Sequence, residues 1–485
     1  MIGRAKPKNR SFITVGIMAL AISSVGAFIL WNQEIALQWS SSNTGVFLAG
    51  LVLVTCIWII FVSVKKAGSI INGYAIIWAA FCATYPLSAV AHLSGMVEYQ
   101  RGFYDLAGLA MPPIYKNIYF ALFLVTIAFI SMWLGLNFGA EREKEAPPQL
   151  KIKKGLLLIL GIIFIFLGII GSLAIAMEAP SIIEGLFTMD RARETGGGLA
   201  RFVFMSEWLN WGLVFLVVFV LQNNFIRSRN AFLCLVIFCF FLIILNMFWS
   251  GGRSPAIAAI FPFLFILKRI TPHYSKDTVK PAILLIVIYI GAATLIRSGE
   301  IFGVSLWGKI LEVLDWHMGR FAMIGLGFDM VERQGFMWGS TLVVSIVNVI
   351  NAPTVLLKLP TIMDVPQSAS SMIGEYLLGN PKINSIVPGA ILDLYINFGI
   401  IAVAVGFFIV GFLAKKCIRV MEKTDSLGAF CVAAYIITIL STYFFALETS
   451  IWIYFLFTSG LPVICIYLCE IFMGANIINK LIFKK

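Results

Sequence analysis

The sequence carries a handful of side chains able to grip a phosphate or move a proton. Arg253 sits in FWSGGRSPA, residues 248–256, where one apolar run stops at two glycines and another opens on Ser254-Pro255. Serine caps helices, proline suits a first turn, and a helix N-terminus beside glycine amides favours an anion. Arg191 and Arg193 precede the glycine run 196–198 in FTMDRARETGGGLARF, whose amides suit the same role. Arg297 follows the apolar run 281–296, and Arg320 follows His317 by three residues, so one helix would put both on one face. These five arginines are the candidate phosphate ligands: a guanidinium meets phosphate with paired planar donors, whereas an ammonium is a hydrated point charge. For proton transfer, His317 has the side chain that titrates nearest neutrality, and Asp315, Glu375 and Asp393 supply carboxylates. Several have plainer alternatives. Arg191 beside Asp190 suits an ion pair, Arg253 suits snorkelling to a lipid phosphate, and Asp393 and Glu207 suit arginine partners inside a membrane.

Elements must hold these residues, and composition names the solvent around them. Of 485 residues 60% are hydrophobic and 12% charged, with a mean hydropathy of +0.94. Soluble domains are about half apolar and about a quarter charged. The chain is therefore expected to be an all-α polytopic membrane protein. Apolar runs fall at 11–31, 45–64, 70–91, 118–137, 155–177, 202–222, 231–249, 254–267, 281–296, 387–413, 427–447 and 451–473. That gives about twelve transmembrane helices, most within the roughly 17–25 residues a bilayer requires. The eighth run is short, worth about 21 Å of helix against a core of about 30 Å, and is expected to extend beyond its apolar residues.

Charge orients these helices. With the N-terminus in the cytoplasm as a signal anchor, Lys65-Lys66, EREKEAPPQLKIKK, IRSR, KRITPHYSKDTVK, KKCIRVMEK and the C-terminal lysines share one side, as the positive-inside rule demands. Both termini are then cytoplasmic. That side holds 24 Lys and Arg against 7 acids, and the other 12 against 17. The net charge of +12 thus reports orientation and gives no support to a nucleic-acid partner. Outward positions hold eight Arg and four Lys, inward ones seven Arg and seventeen Lys. The outer side prefers the forked cation, which points to a phosphate-bearing partner there.

The chain is expected to form a single membrane domain, residues 1–485, whose largest outward connection is 297–386, between the ninth and tenth helices. Apolar residues at helical spacing predict helices within that connection, lying against the outer face. Phosphate-loop, nucleophile-elbow and zinc-protease motifs are missing from the sequence. An ATP-driven pump is therefore excluded for the chain alone. Seven of the eight cysteines fall in apolar runs and Cys417 in an inward connection, so no disulfide framework is implied. Cys465 and Cys469 share a helix face without a nearby histidine, so no metal is expected.

Three stretches resemble a known family. LNMFWSGGRSPAIAAIFPFLF, HMGRFAMIGLGFDMVERQGFMWGS and GEYLLGNPKINSIVPGAILDLYINFGIIAVAVGFFIVG look like Wzy-type oligosaccharide repeat unit polymerases, as does the many-helix layout with a large late outward loop. The best local piece is P-G-x-x-x-[acid]-x-x-x-x-x-G, here Pro388, Gly389, Asp393 and Gly399. The resemblance implies a GT-C-like glycosyltransferase architecture in a bacterial cytoplasmic membrane, acting on its outer face. It implies undecaprenyl-pyrophosphate-linked oligosaccharide as donor and acceptor, membrane lipid as surroundings, and flippase and chain-length regulator proteins as partners. Such an enzyme needs no nucleotide, metal or other cofactor. Outward arginines, here Arg253 and Arg297 with Arg191, Arg193 and Arg320, would stabilise the leaving pyrophosphate, and His317, Asp315, Asp393 or Glu375 would serve as base. An oligosaccharide ligase would use the same arginines with another acceptor; a flippase or other carrier would need none of the chemistry.

Overall fold

The computed structural model describes residues 20, 23–29, 43–96, 117–139, 147–151, 153–178, 203–223, 225, 228–250, 253–272, 315, 318–356, 360–381, 387–449 and 451–474. Among them there is no strand, and they form a succession of helices. The first nine are α1 (Asn43–Ala67), α2 (Gly73–Thr84), α3 (Pro86–Leu93), α4 (Ile118–Asn137), α5 (Lys154–Glu178), α6 (Val203–Ser206), α7 (Trp208–Gln222), α8 (Arg229–Ser250) and α9 (Arg253–Ile270). Then come α10 (Phe321–Gln334), α11 (Ser340–Leu356), α12 (Ala369–Leu378), α13 (Gly389–Lys423), α14 (Leu427–Ile439) with a π turn at Leu440–Phe444, α15 (Ile451–Phe457) and α16 (Leu461–Gly474).

Eight of the described helical segments are long and apolar enough to cross a membrane, or nine if α15 and α16, bent by 54°, form one span. These correspond to the expected runs two to seven and ten to twelve. The first and ninth runs lie largely outside the described residues. The eighth run forms α9, which takes in Lys268, Arg269 and Ile270 and so reaches 18 residues, or about 27 Å. Its apolar run was short because its last turn is basic. The 297–386 connection contributes α10, α11 and α12, the helices its periodicity predicts.

The exterior is apolar. Phe47, Val54 and Phe61 on α1, and Ile159, Phe166 and Leu173 on α5, are all more than half exposed. In water such surfaces would aggregate, whereas lipid tails cover them without penalty. Helix contacts then depend on close backbone approach, which small residues allow. A Cβ on Gly411 of α13 would meet the Met132 carbonyl and, at 2.9 Å, the Leu136 amide of α4. Gly135 approaches Phe408 and Phe412 reciprocally. Gly161 and Gly168 of α5 and Gly212 of α7 make the second such seam. Between the seams, aromatic rings fill the interior, with Phe407 stacked on Phe445 at 5.9 Å between ring centroids and edge-on to Phe81 and Tyr85.

At one end of the bundle the expected inward connections meet. Lys151 pairs with Asp425 at 2.5 Å, Lys268 Nζ donates to the Ile71 carbonyl at 2.6 Å, and Arg269 donates to the Pro148 carbonyl at 2.6 Å. Lys415 caps the end of α4 by donating to the Phe138 and Gly139 carbonyls at 2.9 and 3.0 Å. The connections that charge assigned to one side thus converge in space.

α13 is two helices. Phe398 and Gly399 leave helical geometry, and Gly399 sits at φ 70°, ψ −157°, a conformation open essentially to glycine alone. There the chain doubles back: Leu394 lies against Gly406, which in a straight helix would be about 18 Å away. Tyr85 and Phe445 accordingly touch both Phe407 on the long arm and the Ala390 and Ile391 amides on the short arm. The last carbonyls of the short arm, Ile396 and Asn397, accept from the Met337 and Trp338 amides at 2.9 and 3.2 Å. One apolar stretch that reads as a single span is a hairpin of helices.

Candidate functional site

The doubled-back arm, residues 389–397, carries a buried polar cluster into the bundle. Pro388 precedes it, and Gly389 takes φ 73°, where an added Cβ would come within 2.9 Å of Arg320 Cβ and Cγ and 3.1 Å of the Phe445 carbonyl. The P-G-x-x-x-D-x-x-x-x-x-G pattern thereby acquires a physical meaning. Both glycines are bends, and between them Asp393 and Asn397 lie one turn apart, each fully buried.

Asp393 is pinned at both oxygens. Oδ1 accepts from the Thr341 hydroxyl at 2.6 Å and the Asn397 amide at 3.2 Å; Oδ2 accepts from the Thr449 amide at 2.8 Å and from the Thr449 hydroxyl. The expected arginine partner of Asp393 is therefore replaced by hydroxyls and amides, which satisfy a buried carboxylate without a second charge to desolvate. This carboxylate fastens α11 and the 445–449 connection to the short arm. Glu207, for its part, accepts from the Ser459 hydroxyl where α15 and α16 break.

Asp315 lies beneath the same surface, 4% exposed. Its Oδ1 accepts from the Ser88 hydroxyl at 2.5 Å, and its Oδ2 lies 2.8 Å from His92 Nε2, both on α3. His92 is fully buried. Gly319 permits this arrangement, because a Cβ there would strike the carboxylate and come within 2.8 Å of Ser88 Oγ.

Arg320 follows. Its backbone has left the helix (φ −137°, ψ 6°) and caps the start of α10, with its amide donating to the Thr84 carbonyl at 2.9 Å. Met318 is helical but Gly319 and Arg320 are not, and His317, which the spacing set on one helix face with Arg320, lies outside the described residues. The glycine breaks the helix first. The Arg320 side chain is 7% exposed; Nε donates to the Ala446 carbonyl at 2.6 Å and Nη1 to the Gly319 carbonyl at 2.5 Å. No carboxylate of the described residues forms an ion pair with it. A buried cation costs several kcal/mol after relaxation, and two neutral carbonyls repay only part of that.

Two residues beyond Ala446 stands Glu448, also 7% exposed, which sequence reasoning counted only among the outward acids. Its Oε1 accepts from the Ser370 amide at 2.8 Å at the start of α12. Burial above all pushes its carboxyl above the usual carboxylate range; the hydrogen bond from Ser370 opposes the rise, and the Asp393 charge adds to it.

The remaining expected residues are dispersed. Glu375 is exposed on α12 and accepts from Gln367 Nε2 at 2.7 Å, away from the cluster. Arg253 is the first described residue of α9, which places Ser254 inside the helix rather than at its cap. His317, Arg297, Arg191 and Arg193 lie outside the described residues. Of the candidate site residues, Asp315, Arg320 and Asp393 come together. Among the described residues no group of three His, Cys, Asp or Glu side chains could hold a metal ion.

With its lipid-facing exterior and apolar spans, the chain is an all-helical, multi-pass membrane protein. Compared with protein families, curated proteins and solved structures, it matches none.

Proposed function

We propose that this protein polymerises oligosaccharide repeat units carried on undecaprenyl pyrophosphate. It transfers the growing glycan from its lipid pyrophosphate to a hydroxyl on the next lipid-linked unit, at the outer face of a bacterial cytoplasmic membrane. The observation that carries this function is Arg320: a buried guanidinium held by two main-chain carbonyls and lacking a carboxylate partner among the described residues. A pyrophosphate would supply the missing countercharge and accept the planar donors that a lysine cannot present. The resemblance of the HMGRFAMIG and PGAILDLYINFG stretches supports the same function, because the fold brings those two stretches into contact at Gly389 and Arg320.

One observation favours a carrier instead. Helices are broken at Glu207 and between α15 and α16, and the two breaks meet where Ser459 donates to the buried Glu207 carboxylate. Discontinuous helices around a buried carboxylate are a feature of coupled transporters. The two are separated by giving the purified full-length protein, in liposomes, only lipid-linked repeat units. Polymerase activity yields a ladder of longer glycans, whereas a carrier moves the lipid between leaflets and lengthens nothing. Arg320→Lys should slow ladder formation about 10- to 100-fold, the worth of a charge-assisted paired contact. A full rate in Arg320→Lys, with Arg333→Lys as control, would remove the pyrophosphate role.

A further inference from the structure

Three carboxylates are buried in or beside the site, a fourth candidate, Glu375, lies away from it, and their environments differ. Asp393 has both oxygens filled by Thr341, Asn397 and Thr449, and Asp315 has its own filled by Ser88 and His92. Glu375 is exposed and bound to Gln367. Glu448, buried like Asp393 and Asp315, accepts from the Ser370 amide with the Ser368 and Ser370 hydroxyls beside it, and forms no ion pair among the described residues. Arg320 grips Ala446, two residues earlier on the same connection. A buried cation and a buried carboxylate thus flank one short segment, each fixed by main-chain groups and neither neutralising the other. A cation and a carboxylate anchored within two residues of each other on one connection, and not paired with each other, are available to a third group.

We infer that Glu448 is the general base of the transfer, taking the proton of the acceptor hydroxyl while Arg320 holds the departing pyrophosphate, an assignment that rests on the polymerase function proposed above. The acceptor oxygen forms a bond to the anomeric carbon of the donor's first sugar. The bond from that carbon to the pyrophosphate oxygen breaks, and its electron pair leaves with the pyrophosphate. The hydroxyl proton passes to Glu448 and from there to water, which restores the carboxylate. The rise of the Glu448 carboxyl strengthens it as a base at the cost of needing a higher pH to ionise. The groups facing it are Asp393 from the short arm of α13 and the Ser368 and Ser370 hydroxyls at the start of α12, and Arg320 is anchored two residues away at Ala446.

The test uses full-length protein in liposomes with a defined lipid-linked repeat unit, measuring the initial polymerisation rate across pH and inhibition by undecaprenyl pyrophosphate. Glu448→Gln keeps the shape and the acceptor for Ser370. Its rate should fall about 10²- to 10⁴-fold, the usual worth of a general base, while inhibition by undecaprenyl pyrophosphate is unchanged. The rise of rate with pH in the wild type should vanish from whatever activity remains. Glu448→Asp, which keeps a carboxylate, should recover part of the rate and the pH rise, and it decides the matter should Glu448→Gln not be recovered folded. A full rate in Glu448→Gln, no recovery in Glu448→Asp, or equal loss of undecaprenyl pyrophosphate inhibition in both would overturn the assignment. A wild type that makes no ladder overturns the polymerase function itself, and the assignment with it.

Discussion

Gly389→Ala perturbs the point where the short arm of α13 meets Arg320. Two costs add. At φ 73° the alanine enters left-handed space, worth about 1–2 kcal/mol for a residue with a Cβ. The new methyl also lies 2.9 Å from Arg320 Cβ and Cγ and 3.1 Å from the Phe445 carbonyl. Overpacking of this kind costs about 1–3 kcal/mol, because a close-packed interior has little room to yield. The sum is about 2–5 kcal/mol. Gly379→Ala separates the two costs, since Gly379 has φ 64° with nothing within 4 Å of an added Cβ, so it should lose only the backbone part. Unfolding in a detergent titration, followed by tryptophan fluorescence, should therefore rank wild type above Gly379→Ala above Gly389→Ala. Because the clash falls on the Arg320 stem, Gly389→Ala should also lose polymerisation below its unfolding threshold, and Gly379→Ala should not. Equal stability of the two variants would refute the overlap; a stable Gly389→Ala with full activity would refute the positioning of Arg320 by this bend.

Two further outcomes follow from the packing and the charges. Gly411→Val should separate α13 from α4 and lower the unfolding free energy by about 1–3 kcal/mol, whereas Gly50→Val, with nothing within 4 Å of its Cβ, should not; equal unfolding midpoints would show that the two backbones do not meet. Folded Glu448 holds its proton to higher pH than it does unfolded. Between those two values the native state binds more protons, so stability should fall as pH rises through the raised value. Glu448→Gln should flatten that part of a stability-against-pH series, and parallel curves would show that the carboxyl is not perturbed.

Hydropathy and charge made the spans legible because each helix must satisfy its own backbone and present apolar side chains to lipid. Nine expected runs correspond to described segments long and apolar enough to cross, and the eighth has its counterpart in α9, which ends in a basic turn. The hairpin in α13 escaped detection because residues 387–413 are apolar apart from Asp393 and Asn397, and a period of hydrophobicity does not record a reversal. Its signal was present in Gly389 and Gly399, two glycines set ten residues apart. His92 falls just past the apolar run 70–91, and its meeting with Asp315 spans 223 positions that no local pattern connects. Arg320 stands outside a helix for the opposite reason, since Gly319 had marked a break in plain sight. Glu448 looked like one solvated acid among many because burial is a property of the assembled bundle.

The doubled-back arm of α13 also bears on how such a protein can change through descent. A hairpin whose long arm makes the crossing leaves the parity of crossings as a single straight span would. Its arms could lengthen, shorten or be replaced, and every later connection would keep its compartment and its arrangement of positive charge. The floor beneath Arg320 can thus be recut by insertion or deletion while the wiring of the remaining chain stays fixed, so divergence in substrate need not wait for a new topology.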